Sequence, residues 1–169
     1  MRAAGIVLVV VVALALQTTL NRFIVRENFA VDLVMVAVVY VALTAGPVAG
    51  MMAGTIGGLI QDAMSSGIIG IGGLAKTIVG FLAGVLGTQF IVANSLPRFV
   101  VFLGATVVHA IVFMGLYVVL DLRHFGTPYA QVAGQALGNA FVGVIAFQIV
   151  ELLPGAVERR RAQRGRLRR

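Results

Sequence analysis

Two charged residues within long apolar runs are the side chains of this sequence best placed to do chemistry. Asp62 and Lys76 are separated by a short glycine-rich segment, so we predict an ion pair across a turn. A charge inside a membrane is costly, and it usually indicates a pairing or a functional role. The alternatives are that Asp62 is solvated or caps the next helix, and that Lys76 extends its stem to the membrane surface.

Four uncharged polar residues lie in the other apolar runs: Gln17, His109, Gln135 and Asn139. Gln135 and Asn139 are four residues apart, which places them on one face of a helix. Such residues either form hydrogen bonds between helices, worth about 0.6 kcal/mol each on average, or line a polar cavity for a substrate or a proton path. A histidine without a nearby carboxylate is a poor proton relay, which favours hydrogen bonding between helices.

The sequence lacks the spacings that are typical of catalytic, cofactor or metal sites. Ser65 and Ser66 have no paired base, there is no His-Glu-x-x-His or phosphate-loop motif, and there is no cysteine. The glycines at 70, 72 and 73 follow no predicted strand, so they are a very weak phosphate-binding signal. We therefore expect no catalytic, cofactor-binding or metal-binding residue, and we predict that the protein is not an enzyme.

Composition places the chain in the membrane. Of its 169 residues, 60% are hydrophobic and 11% are charged, and the mean hydropathy is +1.03. Soluble domains have about 25% charged residues, so this composition excludes a soluble enzyme, a disordered protein and a disulfide-rich scaffold. The prediction is an all-α, polytopic bundle of transmembrane helices.

Charged residues and one Gly-Pro pair divide the chain into segments of about the length that spans a bilayer. Gly46-Pro47 interrupts a charge-free run, and proline favours the start of a helix over its interior. An unsplit run would leave five helices instead of six. A cleaved signal peptide ending at Ala13-Leu14-Ala15 is disfavoured, because that tripeptide lies inside the apolar run. The predicted helices span 4–21, 30–46, 47–64, 68–92, 98–120 and 128–150.

The C-terminal end is strongly basic. Residues 158–169 contain seven arginines, so we predict a transmembrane domain over 1–157 followed by a basic cytoplasmic tail. Six helices then place the N-terminus in the cytoplasm too. The tail is expected to bind anionic lipid rather than nucleic acid, because arginine tails that end a membrane protein are usually anchors.

Small residues recur every fourth position in the third predicted helix. Gly50, Gly54 and Gly58 lie on one face, and Gly80 and Gly84 repeat the spacing in the fourth helix. Small residues four apart let helix backbones approach closely in a membrane. This face either packs inside the bundle or docks a partner helix. Our candidate partner contacts are Gly50, Gly54, Gly58, Asp62 and Lys76.

Several motifs between 31 and 84 resemble one protein family. They are Val31-Asp32-Leu33, Val39-Tyr40, Gly46-Pro47, Gly58-Leu59-Ile60-Gln61-Asp62, and the Leu74–Gly84 segment with its Val-Gly-x-x-x-Gly ending. This pattern resembles the rod shape-determining protein MreD family. Val31 stands where that family usually has proline, and Lys76 stands where an aromatic or small residue is more usual.

The resemblance implies a scaffold. Members of the family lie in the bacterial inner membrane, bind MreC, and belong to the elongation machinery with MreB, the SEDS glycosyltransferase and its transpeptidase. Their fold is similar to that of the substrate-binding subunits of energy-coupling-factor transporters. The alternative function is therefore capture of a vitamin-type molecule. The first helix lacks the Ala-x-x-x-Ala spacing that such subunits often use for docking, which disfavours this alternative.

Overall fold

The computed structural model describes residues 3–23, 31–65, 68–89, 94–122 and 129–166. Over these residues the chain forms six α-helices and no strand, which confirms the all-α prediction. The helices are α1 (Ala3–Phe23), α2 (Leu33–Ala45), α3 (Pro47–Met64), α4 (Ile71–Gln89), α5 (Ser95–Val119) and α6 (Tyr129–Arg166).

The second helix is the centre of the bundle. It is apolar on all sides, which is typical of a buried helix, and it contacts each of the other helices. Val34, Val38 and Val41 pack towards α1, whereas Met35 and Val39 pack towards α5 and α6. With 13 residues, α2 is about 20 Å long at about 1.5 Å per residue, shorter than a bilayer core of about 30 Å.

The Gly46-Pro47 break is confirmed. Gly46 has a φ of 90°, a conformation that L side chains rarely adopt, and its N–H donates to the carbonyl oxygen of Ala42 at the end of α2. Pro47 then occupies the first position of α3, where a missing N–H costs no helical hydrogen bond. The chain therefore reverses direction with a single residue between two helices.

Helices α3 and α4 pack backbone against backbone. A Cβ added to Gly54 would collide with the carbonyl oxygen of Lys76, and a Cβ on Gly50 would collide with that of Gly80. The Thr55 and Thr77 hydroxyls form a hydrogen bond of 2.8 Å across the same interface. Glycine spacing thus produces the closest helix pair of the bundle.

Helices α5 and α6 pair through an arginine that the sequence analysis took as a helix boundary. Arg98 lies inside the first turn of α5, donates two hydrogen bonds of 2.8 and 2.7 Å to Glu151, and stacks 3.9 Å above the Phe147 ring. Because these partners satisfy its charge, α5 begins at Ser95, three residues before the predicted start.

Helix α6 continues to Arg166 and crosses the predicted boundary at 157/158 without a break in the backbone. The arginine side chains of the tail lie outside the described residues. The tail boundary therefore stays a prediction that rests on charge.

Three helices among the described residues are long and apolar enough to cross a membrane: Ile71–Gln89, Ser95–Val119 and Tyr129–Leu152. Helices α1 and α2 contain the shorter apolar segments Ala4–Leu20 and Leu33–Ala45. The chain is a membrane protein whose longer helices surround a short central one.

Candidate functional site

The predicted Asp62–Lys76 ion pair is wrong. Lys76 Nζ lies 2.9 Å from Asp32 Oδ2, and the two side chains are only 5% and 9% exposed. Lys76 therefore does not extend to the membrane surface. Its side chain points into the bundle. At this position the backbone of α4 packs against Gly54 of α3, and the Lys76 side chain reaches Asp32 at the start of the central helix.

Asp62 caps the fourth helix, one of the alternatives given above. Its Oδ2 accepts hydrogen bonds of 2.9 Å from the backbone N–H groups of Gly70 and Gly73. These N–H groups lie at the start of α4 and have no acceptor within that helix. Asp62 thus holds the first turn of α4 beside the end of α3.

Polar side chains from three elements surround the start of α2. The Asp32 carboxylate accepts from Met35 N at 3.0 Å, Gln17 Oε1 accepts from Leu33 N at 2.7 Å, and Asn139 Oδ1 accepts from Asp32 N at 2.8 Å. A helix that begins inside a bundle leaves N–H groups that water cannot reach, so side chains must satisfy them. Gln17 and Asn139 are therefore hydrogen-bonding residues of the fold.

His109 extends this cluster towards α5. Its Nε2 lies 3.3 Å from Lys76 Nζ, and because an ammonium group can only donate, Nε2 accepts and Nδ1 carries the ring proton. The sequence predicts no carboxylate near this histidine. Lys76 connects it to Asp32, so three ionisable side chains from α4, α5 and the start of α2 lie in one row.

A cavity of about 370 Å³ opens beside this row. Asp32, Lys76 and His109 line its inner wall, and Gln135 lies on its α6 side. Of the four uncharged polar candidates, the structure therefore places His109 and Gln135 on the cavity. Gln17 and Asn139 are used to hold α2 in position.

The glycine face predicted to contact a partner is buried inside the bundle. Gly50, Gly54 and Gly58 all pack on α4, so helix packing accounts for their spacing. A partner could reach this face only by displacing α4. Contact between these glycines and a partner stays a prediction.

Sequence reasoning missed two residues of the site. Asp32 is not among the predicted site residues, although an aspartate just before an apolar run is a typical N-cap signal. Gln61 was not singled out, yet its Nε2 lies 3.4 Å from Asp32 Oδ1 and its Oε1 is buried without a hydrogen-bond partner among the described residues. No spacing rule links positions 32, 61, 76 and 109, because their proximity depends on the packing of four elements.

A second, apolar cavity lies between α4 and α5. This groove has a volume of about 420 Å³ and is lined by Val79, Leu82, Ala83, Val85, Leu86, Val100, Val101, Gly104, Ala105 and Val108. A Cβ on Gly104 would meet nothing within 4 Å. Within the described residues, no group of three or more His, Cys, Asp or Glu side chains could hold a metal ion.

Comparison with known proteins gives one match. The family model described as rod shape-determining protein MreD matches residues 2–154, nearly the whole chain. No curated protein and no solved structure matches. The expected similarity to energy-coupling-factor subunits therefore stays a prediction from the resemblance.

Proposed function

This chain belongs to the rod shape-determining protein MreD family, and we propose that it is a non-catalytic scaffold that binds MreC. Its role is in rod shape determination. The observation that supports the proposal most is the family match over residues 2–154. Through MreC the protein would help couple MreB filaments to peptidoglycan synthesis by the SEDS glycosyltransferase and its transpeptidase.

The ionisable cluster supports a structural role rather than catalysis. Lys76 is paired with Asp32, and Asp32 also caps α2, so both groups make contacts that hold the fold. The Ser65 hydroxyl donates to the carbonyl oxygen of Gln61 at 2.7 Å. These contacts explain how charged side chains can lie inside the bundle without taking part in a reaction.

We place the contact with MreC in the apolar groove between α4 and α5. Its lining is aliphatic, Leu82, Leu86 and Val100 are 42–60% exposed, and Gly104 leaves space at its floor. In a membrane, association depends on close packing, which small residues in a groove allow. An apolar helix of the partner fits such a surface.

Co-purification in detergent tests this proposal. The tagged protein is co-expressed with the MreC of the same genome, and we expect stoichiometric recovery. Gly104→Leu fills the groove and should lower that recovery strongly. Gly115→Leu is the matched control, since Gly115 lies on the same helix with nothing within 4 Å of an added Cβ and does not line the groove.

Two results would contradict the proposal. A folded, monodisperse protein that recovers no MreC would contradict the scaffold function itself. Equal recovery with Gly104→Leu and Gly115→Leu would leave the function standing but place the contact elsewhere.

We also propose that the protein lies in the bacterial inner membrane with both termini in the cytoplasm and anionic lipid at the tail. Arg98 lies at the end of the bundle where α6 approaches the arginine-rich segment, as the positive-inside rule requires.

The chain has no cysteine, so Leu122→Cys, at the opposite end of α5, provides a single thiol. It should react with a membrane-impermeant maleimide added to spheroplasts. Reaction only after lysis would indicate the opposite orientation in the membrane.

A further inference from the structure

The polar cavity of about 370 Å³ has an acceptor-rich lining. Asp32 and Asp62 supply two carboxylates and Lys76 supplies one ammonium group, which leaves a formal charge of −1 when His109 is neutral. Lys76 lies 2.9 Å from Asp32, whereas the Asp62 carboxylate accepts only backbone N–H groups among the described residues. Asp62 is therefore the carboxylate of the lining that has no cationic side chain paired with it among the described residues.

Gln61, which lines the same cavity, carries a buried acceptor without a donor. Gln61 Oε1 is buried and has no hydrogen-bond partner within the part of the chain that the structure describes. A buried acceptor without a donor costs free energy, and it leaves this wall of the cavity richer in acceptors than in donors. Gln61 also donates to Asp32 through Nε2, which fixes Oε1 as the atom that remains unpaired.

An aromatic row lines the α5 side of the cavity. His109, Phe113 and Tyr117 follow each other at four-residue spacing along α5, with ring centroids 5.8 and 4.9 Å apart. Aromatic faces attract cations, most strongly where water is excluded. Phe113 and Tyr117 line the cavity together with Met114, so a cationic group there would also contact apolar surface.

We propose that this cavity binds an organic ammonium group carried on a short apolar stem. The ammonium lies against the Asp62 carboxylate, and the stem lies against Phe113 and Met114. The cavity opens at the end of the bundle opposite Arg98 and Glu151, since the end of α3, the start of α4 and the end of α5 line it. Anionic ligands are disfavoured by the charge of the lining.

Methionine-methyl NMR of the intact wild-type protein tests this proposal. The protein is purified in a maltoside detergent, which carries no ammonium group, and benzylammonium is titrated against it. The Met114 methyl signal, assigned with Met114→Leu, should shift saturably. Met52, which is 49% exposed on α3, is the internal control and should not shift. Benzyl alcohol has the same ring without the charge and should leave Met114 unchanged.

Two variants locate the charge that is recognised. Asp62→Asn keeps an oxygen that can accept from Gly70 and Gly73, and it should weaken benzylammonium binding by at least about tenfold. Asp121→Asn is the matched control: it removes the same charge at the same end of the bundle, on an exposed residue outside the cavity. Its φ of 52° suits asparagine, so the fold should be kept.

Three results would overturn the proposal: no saturable shift of Met114, an equal shift with benzyl alcohol, or equal weakening by Asp62→Asn and Asp121→Asn. Because the Met114 titration uses the wild-type protein, a misfolded variant would not remove the test. Partner recovery is measured separately, so the ammonium site can fail while the scaffold function stands.

The ammonium group could come from a soluble metabolite or from a lipid head group. Nanodiscs of phosphatidylglycerol with and without phosphatidylethanolamine distinguish these sources. Loss of the benzylammonium shift in the presence of phosphatidylethanolamine identifies the lipid head group as the ligand. An unchanged shift identifies a soluble ammonium.

Discussion

Replacing Lys76 by methionine should destabilise the protein strongly. Methionine keeps the length and the apolar stem of lysine but removes the ammonium group. The Asp32 carboxylate, whose side chain is 9% exposed, would then lie in the bundle without its partner. An unpaired buried charge is one of the few causes of very large losses of stability.

The structure allows an estimate of the magnitude. At the observed 2.9 Å, two unit charges attract by about 6 kcal/mol at an effective dielectric constant of about 20, before desolvation is subtracted. Removing one partner of a buried pair costs about 3–5 kcal/mol. His109 Nε2 lies 3.3 Å from Lys76 Nζ, so a protonated His109 could partly replace the ammonium. We therefore expect a loss near the lower limit, about 3 kcal/mol.

A double-mutant cycle separates this pairing from simple loss of packing. Asp32→Asn keeps an oxygen to accept from Met35 N, so the cap of α2 is retained. The double variant Asp32→Asn/Lys76→Met removes both charges. Its loss in free energy of unfolding should be about 2 kcal/mol smaller than the sum of the losses of the two single variants. The measurement is unfolding by sodium dodecyl sulfate in mixed micelles, followed by far-ultraviolet circular dichroism.

Additive losses within about 0.5 kcal/mol would refute the pairing. Glu151→Gln is the comparison for an exposed partner. It breaks the bidentate pair with Arg98, but the Glu151 side chain is 52% exposed, so a much smaller loss is expected.

Three further predictions follow from the packing. Gly54→Ala should destabilise by about 1–3 kcal/mol, because its Cβ meets the Lys76 carbonyl, whereas Gly104→Ala has open space and should be neutral or slightly stabilising in the same assay. Asn139→Leu leaves the Asp32 N–H without an acceptor and removes the hydrogen bond that the Thr106 hydroxyl accepts, so it should cost about 1–3 kcal/mol in that assay. Lys76, the only lysine in the sequence, should resist amine acylation in the folded protein and react after denaturation, as read by peptide mass spectrometry; rapid labelling of the folded form would contradict its burial.

The sequence was sufficient to predict the helices and insufficient to predict the ion pair. Apolar runs and the Gly46-Pro47 signal gave the limits of α3 as 47–64, the same residues that the structure shows. The start of α5 was misplaced because Arg98 was taken as a boundary, although a charge with a bidentate partner can lie within a helix. Asp62 was chosen for Lys76 because the two are close in the chain.

The short central helix explains why Asp32, and not Asp62, is the partner of Lys76. Because α2 has 13 residues, its first N–H groups lie inside the bundle, and the chain satisfies them with Asp32, Gln17 and Asn139. A capping carboxylate in that position then needs a counter-charge, which Lys76 supplies from α4. Lengthening α2 with apolar residues would move its first turn towards the membrane surface, where water can satisfy the N–H groups, so the polar cluster and the length of α2 are expected to change together.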